Sequence, residues 1–177
     1  MKDRVKKKFT VQRLVLMAVL IALHVVAVRF LSIQTPIFRI SFGFIALVLA
    51  GVLLGPVEAM IVGALADLIG ALLFPSGPFY PGFTLTAALT GLVFGLFLYK
   101  KVTVLRVIFS CAIVEFVLGL LLNTYWIHVL YGKGFLAILP TRAIQAGGMF
   151  VVQCVIILLL NQLLFKRLKG VVKEGKK

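Results

Sequence analysis

Charged residues are scarce in this chain of 177 residues, and acidic ones are the scarcest. Asp, Glu, Lys and Arg together make up 14% of the sequence, against about 25% in a typical soluble domain, and only five residues are Asp or Glu. Hydrophobic residues account for 62%, whereas soluble domains contain about 45 to 50%. The mean hydropathy is +1.16. This composition excludes an ordinary soluble domain and indicates a membrane protein.

Cysteine is also scarce, and the common catalytic motifs are missing. Cys111 and Cys154 both lie in apolar runs, where thiols behave as small hydrophobes, so we expect no disulfide and no metal cluster. His24 and His128 are far apart and lack the spacing of metal ligands. The phosphate loop G-x-x-x-x-G-K-[ST] does not occur. We predict a protein without cofactor, metal or ATPase activity, with a small integral membrane enzyme as the less favoured class.

Six apolar runs meet or approach the roughly 20 residues that an α-helix needs to cross a bilayer. They cover residues 10–33, 40–54, 56–74, 82–99, 102–124 and 140–166. The first is longer than the apolar part of a cleaved signal peptide, about 7 to 15 residues. The second is short and ends at the helix-breaking pair Gly55-Pro56. The sequence predicts an all-α membrane protein, a single domain of six transmembrane helices, without the internal repeat typical of a complete secondary transporter.

The 19 basic residues give the predicted topology. With a cytoplasmic N-terminus, only Arg29, Arg39, Lys133 and Arg142 face outside. The other fifteen face inside: Lys2, Arg4, Lys6, Lys7, Lys8, Arg13, Lys100, Lys101, Arg106, Lys166, Arg167, Lys169, Lys173, Lys176 and Lys177. This distribution satisfies the positive-inside rule with both termini cytoplasmic. Because the basic residues do not cover a polar face, we expect the lipid bilayer as the environment and no nucleic acid as a partner.

Unusual polar and aromatic residues concentrate on the predicted outer side, in the connections 34–40, 74–81 and 125–139. An interfacial aromatic belt explains such residues singly, and a site that captures a ligand from outside explains the whole set. Asp67 and Glu115 lie within predicted spans, where an unpaired charge costs at least about 2.5 to 3.5 kcal/mol. Asp67 either pairs with an arginine or accepts hydrogen bonds from an amidine-like edge of a ligand, and Glu115 is an alternative partner for an arginine. Glu58 opens the third run, where the helix dipole favours it as a structural residue.

Eight short motifs carry a family signature in their order and spacing. They are FRISFGF (38–44), LGP (54–56), GALADLIG (63–70), FP (74–75), PGFT (81–84), LNTYW (122–126), YG (131–132) and PTR (140–142). From about residue 9 to residue 165 the chain resembles the substrate-binding S component of energy-coupling-factor (ECF) vitamin transporters, and within those the folate family.

The resemblance implies a high-affinity vitamin-binding subunit in a bacterial cell membrane, with the vitamin held near the outer face. It also implies docking of the first helix on a transmembrane T component, which two ATPase subunits drive, and delivery of the vitamin by toppling. Ala18 and Ala22 match the small-residue pattern of the docking helix, whereas Val26 stands where a third alanine is often found. An S component for another anionic vitamin, such as pantothenate, is the alternative.

The chemistry of folate then assigns roles to residues on the outer side. Aromatic side chains stack on the flat pterin, acidic or amide groups accept from its amino-pyrimidine edge, and arginines meet the two carboxylates. The candidates are Phe79, Tyr80, Trp126 and Tyr131 for stacking, Asp67 or Asn123 for the edge, Arg29, Arg39 or Arg142 for the carboxylates, and Thr84, Thr86 and Gln145 as further polar contacts.

Overall fold

Helices account for most of the chain in the computed structural model, which describes residues 11–34, 39–75, 78–132 and 135–165. The side chains of 33, 34, 39, 40, 131, 138, 164 and 165 lie outside this description. The α-helices are α1 (Val11–Arg29), α2 (Phe44–Leu53), α3 (Pro56–Leu73), α4 (Pro81–Leu98), α5 (Val104–Ala112), α6 (Asn123–Tyr131) and α7 (Phe135–Leu160). Segments of π-helix, Ile113–Leu122 and Asn161–Phe165, follow α5 and α7. Among the described residues, the one departure from the predicted all-α fold is an antiparallel pair of two-residue strands, β1 (Ile33–Gln34) and β2 (Arg39–Ile40).

Among the residues that the structure describes, five helical stretches are long and apolar enough to cross a membrane. They are Val11–Arg29, Pro56–Leu73, Pro81–Leu98, Val104–Leu130 and Leu139–Leu163. The second predicted span differs, because α2 has only 10 residues and rises about 15 Å, half of a hydrocarbon core of about 30 Å. Eight of these ten residues are buried by the surrounding helices. A helix enclosed by protein does not have to match the bilayer thickness, so its shortness is tolerated.

The C-terminal half contains more helix than the sequence predicted. The rod formed by α5, the first π-helical segment and α6 continues through the aromatic stretch that we expected to be a connection, and it ends at Gly132. This glycine has φ of 64°, the left-handed conformation that commonly terminates a helix. Helix α7 begins at Phe135, so Pro140 lies inside it rather than at its start. Thr10 and Lys166, the outermost residues of the first and last predicted spans, lie outside the described residues.

Small residues let α3 and α4 approach until their backbones touch. A Cβ atom on Gly63 would overlap the carbonyl oxygen of Ala87, and one on Gly91 would overlap that of Ala59. Gly95 is packed in the same way against Pro56 at the start of α3. Close approach of this kind is the usual substitute for water-driven burial between membrane helices. Gly91 and Gly95 of α4 therefore serve internal packing of the bundle.

An ion pair joins α1 to the start of α3. Arg13 Nη1 lies 2.8 Å from Glu58 Oε1, and each side chain is 13% exposed. Pro56 occupies the first turn of α3, and Gly55 before it has φ of 120°, a conformation that side chains disfavour. The structural role predicted for Glu58 is confirmed by this contact.

Candidate ligand-binding site

A cavity of about 640 Å³ lies among the helices, within the range of about 300 to 1,000 Å³ common for small-molecule sites. Helices α1, α2, α3, α4, α6 and α7 and the first π-helical segment all contribute to its wall. Its polar lining consists of His24, Arg29, Ser41, Asp67, Tyr80, Thr86, Thr90, Glu115, Asn123, Arg142, Gln145 and Gln153. Apolar side chains such as Phe44, Leu47, Phe83 and Met149 complete it. A cavity of this size that combines apolar walls with convergent polar groups is suited to a small organic molecule.

Two arginines line the cavity from different helices. Arg29 is the last residue of α1, and its side chain packs on Gly70 of α3. A Cβ atom added to Gly70 would lie 3.2 Å from Arg29 Nε. Arg142 projects from α7, and its Nη2 donates a 3.3 Å hydrogen bond to the carbonyl of Gly119 in the π-helical segment. Guanidinium groups are always charged and bind carboxylates through two parallel hydrogen bonds. The pair is suited to an anionic ligand.

Asp67 lines the cavity from α3 and is oriented by a neighbouring helix. Thr84 Oγ1 on α4 donates a 2.8 Å hydrogen bond to Asp67 Oδ2. Thr84 does not itself line the cavity. Its contribution is to hold the carboxylate, which explains why a polar side chain occurs at this place on an apolar helix.

An aromatic cluster forms one wall near the start of α4. Phe79 and Tyr80 line the cavity, and the ring of Trp126 packs behind Tyr80 with 5.6 Å between the ring centroids. Trp126 Nε1 donates to Thr86 Oγ1 at 3.1 Å, and Thr86 donates in turn to the carbonyl of Gly82 at 3.0 Å. Trp126 therefore fixes the position of Tyr80 and Thr86 rather than lining the cavity.

Several cavity residues were not assigned to the site by sequence reasoning, namely His24, Ser41, Thr90, Glu115 and Gln153. His24 Nδ1 lies 2.9 Å from the carbonyl of Gly43. Gln153 Nε2 donates a hydrogen bond to Glu115 Oε1. Helical spacing was the available signal for Gln153, which lies eleven residues after Arg142 and so shares a face of α7 with a predicted site residue.

Eight of the twelve predicted ligand residues line the cavity: Arg29, Asp67, Phe79, Tyr80, Thr86, Asn123, Arg142 and Gln145. Thr84 and Trp126 each contact a lining residue from outside it. The side chains of Arg39 and Tyr131 lie outside the described part of the structure. Ala18 and Ala22 are exposed on α1, away from the cavity. The ligand roles of all twelve residues stay predictions.

Comparison with known proteins identifies relatives along most of the chain. Residues 8–170 match the family model of the S component of ECF-type riboflavin transporters. The folate transporter FolT of Clostridium novyi is 42% identical over 145 residues, which cover 81% of this chain and 84% of the relative. FolT of Leuconostoc mesenteroides is 33% identical over 153 residues, which cover 82% of each chain.

A solved structure is similar in fold as well. The crystal structure of FolT bound with folic acid is 38% identical in sequence and superposes with a TM-score of 0.77, covering 82% of this chain and 90% of that one. These relatives are transporter subunits, so the prediction that the chain is not an enzyme is confirmed at the level of the family. The chain belongs to the family of S components of ECF-type transporters.

Proposed function

We propose that this chain binds folate as the S component of an ECF-type importer and captures it on the outer side of a bacterial cell membrane. The observation that carries the proposal is a cavity of about 640 Å³ that combines Arg29 and Arg142 with an aromatic wall, in a chain 42% identical to a folate transporter. Guanidinium groups bind carboxylates and aromatic side chains pack against flat rings, so this combination fits both ends of the folate molecule.

The chemistry of the cavity supports folate over two other vitamins. Folate carries two carboxylates at one end. Two guanidinium groups can bind them, one carboxylate each, through paired hydrogen bonds. Pantothenate has a single carboxylate and no flat ring to pack against Phe79 and Tyr80. Riboflavin has a flat ring but no carboxylate, and it would leave the arginines of the cavity without an anionic ligand. The arginines and the aromatic wall together favour a ligand that is flat at one end and dianionic at the other.

Six membrane crossings with both termini in the cytoplasm are part of the proposal. Five crossings are the long apolar stretches, and the buried helix α2 with the residues before it supplies the sixth. Arg13 lies near the start of α1, Lys100 and Lys101 lie between α4 and α5, and Arg106 lies in the first turn of α5. Basic residues at these helix ends support a cytoplasmic location for them. The cavity arginines then lie toward the outer side.

Delivery of the vitamin is proposed to require a T component and two ATPase subunits. Ala18 and Ala22 are exposed on the same face of α1, one turn apart, and small residues at this spacing allow another membrane helix to pack closely. The chain has no phosphate loop of its own. We propose that α1 docks on the T component and that the loaded subunit topples to release folate inside.

Fluorescence of the purified protein tests the ligand. Trp126 is the only tryptophan, and it contacts Tyr80 on the cavity wall, so a bound pterin should quench its emission. We expect saturable quenching by folic acid at submicromolar concentration and none by pantothenate or riboflavin. The Trp126→Phe variant provides the background signal, and isothermal titration provides the affinity without fluorescence. Saturable binding of pantothenate or riboflavin with no binding of folic acid would overturn the proposal.

Substitution on α1 tests the docking surface. Ala18→Trp should prevent co-purification with the T component and ATPases while folic acid affinity stays unchanged, because Ala18 is distant from the cavity lining. Val151→Trp on α7 is the matched control, since Val151 is 58% exposed and faces outward from another helix. Equal co-purification of the two variants would contradict docking through α1.

A further inference from the structure

Two hydrogen-bond acceptors meet in the cavity between the first π-helical segment and α7. Glu115 Oε1 accepts a short hydrogen bond from Gln153 Nε2, and both residues line the cavity. Gln153 is 3% exposed, and its Oε1 is buried with no hydrogen-bond partner among the described residues. A buried polar atom without a partner costs about 1 to 3 kcal/mol, so such an atom in a cavity wall indicates a missing ligand group.

The orientation of the Gln153 amide follows from its partner. An ionised carboxylate only accepts hydrogen bonds, so the amide must turn its NH₂ group toward Glu115. The amide oxygen is thereby left as an acceptor. Glu115 also retains acceptor capacity, because its Oε2 and the second lone pair of Oε1 are not used by Gln153. The two side chains present acceptors side by side and need a ligand that carries adjacent N–H donors.

Glu115 lies near Arg142, which donates to the carbonyl of Gly119 four residues further along the π-helical segment, whereas Gln153 lies further along α7. Gln153 follows Arg142 by eleven residues within α7, which is about 16 Å along the helix axis. Asp67, the acidic residue that the sequence favoured for a ligand edge, already accepts a hydrogen bond from Thr84. Gln153 Oε1 therefore stands as the buried acceptor of this wall that still needs a donor, with the carboxylate of Glu115 beside it.

We infer that Glu115 and Gln153 determine specificity by binding the amino-pyrimidinone edge of the ligand, whose 2-amino group and ring N–H are adjacent donors. This inference rests on the proposed folate-binding function and assigns the pterin edge to residues other than Asp67 and Asn123. The same site rejects an isoalloxazine ring. That ring presents a carbonyl oxygen on each side of its single N–H. One of these carbonyl oxygens would face the acceptor oxygen of Gln153 or Glu115, and neither of the two facing oxygens would have a donor.

A set of three ligands with one variant tests the inference. Glu115→Gln should weaken the binding of folic acid by about 10- to 100-fold, the effect expected for a hydrogen bond to a charged group. The same substitution should weaken the binding of a folic acid analogue with hydrogen in place of the 2-amino group by a smaller factor, because this analogue keeps only the ring N–H as a donor to the two side chains. Pteroic acid lacks the glutamate but keeps the pterin. Glu115→Gln should therefore weaken its binding by the same factor as that of folic acid. Glu58→Gln is the matched control, because it makes the same chemical change outside the cavity.

The outcomes separate this inference from the proposed function. If wild-type protein does not bind folic acid, the proposed function fails and the inference with it. If wild-type protein binds folic acid but Glu115→Gln binds it equally well, the function stands and the inference is overturned. If Glu115→Gln weakens the binding of folic acid but not that of pteroic acid, the inference is also overturned, because Glu115 would then act at the glutamate end of the ligand. If Glu115→Gln does not fold, the test uses Gln153→Met, which keeps the length of the side chain. This variant must show the affinity losses predicted above for the three ligands.

Discussion

The close contact between α3 and α4 makes a sharp prediction for Gly91. A Cβ on this glycine would lie 2.7 Å from the carbonyl carbon of Ala59, and it would overlap the attached oxygen. Carbon atoms pack at about 3.5 to 4.0 Å, so the helices would have to separate by about 1 Å. The obstacle is backbone, and a rotamer change does not relieve it. We expect Gly91→Ala to destabilise the protein by about 1 to 3 kcal/mol, the usual cost of overpacking.

Gly147 on α7 is the matched control for this substitution. An added Cβ there meets nothing within 4 Å, so Gly147→Ala has no steric cost. Alanine also favours helix over glycine by about 1 kcal/mol in water, which makes this variant neutral or slightly stabilising. The two variants carry the same added methyl group in two long membrane helices, and the difference between them isolates the α3–α4 contact.

Thermal unfolding in detergent with a thiol-reactive fluorophore provides the measurement. Cys111 is 0% exposed and Cys154 is half-buried, so in a Cys154→Ala background the labelling of Cys111 reports loss of the packed bundle. For a protein of this size we expect the Tm of Gly91→Ala to fall by about 2 to 12 °C, while that of Gly147→Ala is unchanged or higher. Equal Tm values for the two variants would refute the close packing of α3 on α4.

Three further contacts make predictions that the same unfolding assay checks. Arg13→Gln and Glu58→Gln should show a coupling free energy of about 0.5 to 3 kcal/mol in a double-mutant cycle, since the two side chains contact each other at 2.8 Å and are each only 13% exposed; a coupling near zero would contradict their ion pair. Gly55→Ala should destabilise by about 1 to 3 kcal/mol because φ is 120° at this residue, and an unchanged Tm would show that the turn adopts another conformation. Trp126→Phe should cost about 1 kcal/mol through loss of the hydrogen bond to Thr86, with no such loss in a Thr86→Val background.

Helix signals in the sequence predicted much of the fold. Gly55-Pro56 marks the start of α3 as predicted, because proline is tolerated in the first turn of a helix and disrupts its interior. Helix α4 begins at Pro81, one residue before the predicted span, for the same reason. The same rule misplaced the start of α7, since Pro140 lies inside that helix. Propensity is local, and packing against neighbouring helices overrides it where the burial of apolar side chains offsets a lost backbone hydrogen bond.

The sequence predicted some residues of the site and missed others, for a physical reason. Arg29, Asp67 and Arg142 were found because charges inside apolar runs are conspicuous and their predicted depth places them on one side. Glu115 was equally conspicuous, but its partner Gln153 is 38 residues away on another helix. A sequence does not state which faces of two helices meet. The pair therefore became evident only when the rotation of each helix about its axis was known.

Composition and charge position by themselves determined that this chain is an apolar helical membrane protein with few ionisable groups inside its spans, because burial in lipid constrains every residue of a span in the same way. Tertiary structure decided three things that local pattern does not contain: the enclosure of the short helix α2, the backbone contact of α3 with α4, and the convergence of six α-helices and a π-helical segment on one cavity. Each depends on contacts between residues that are distant in sequence, and these form only when the whole bundle packs.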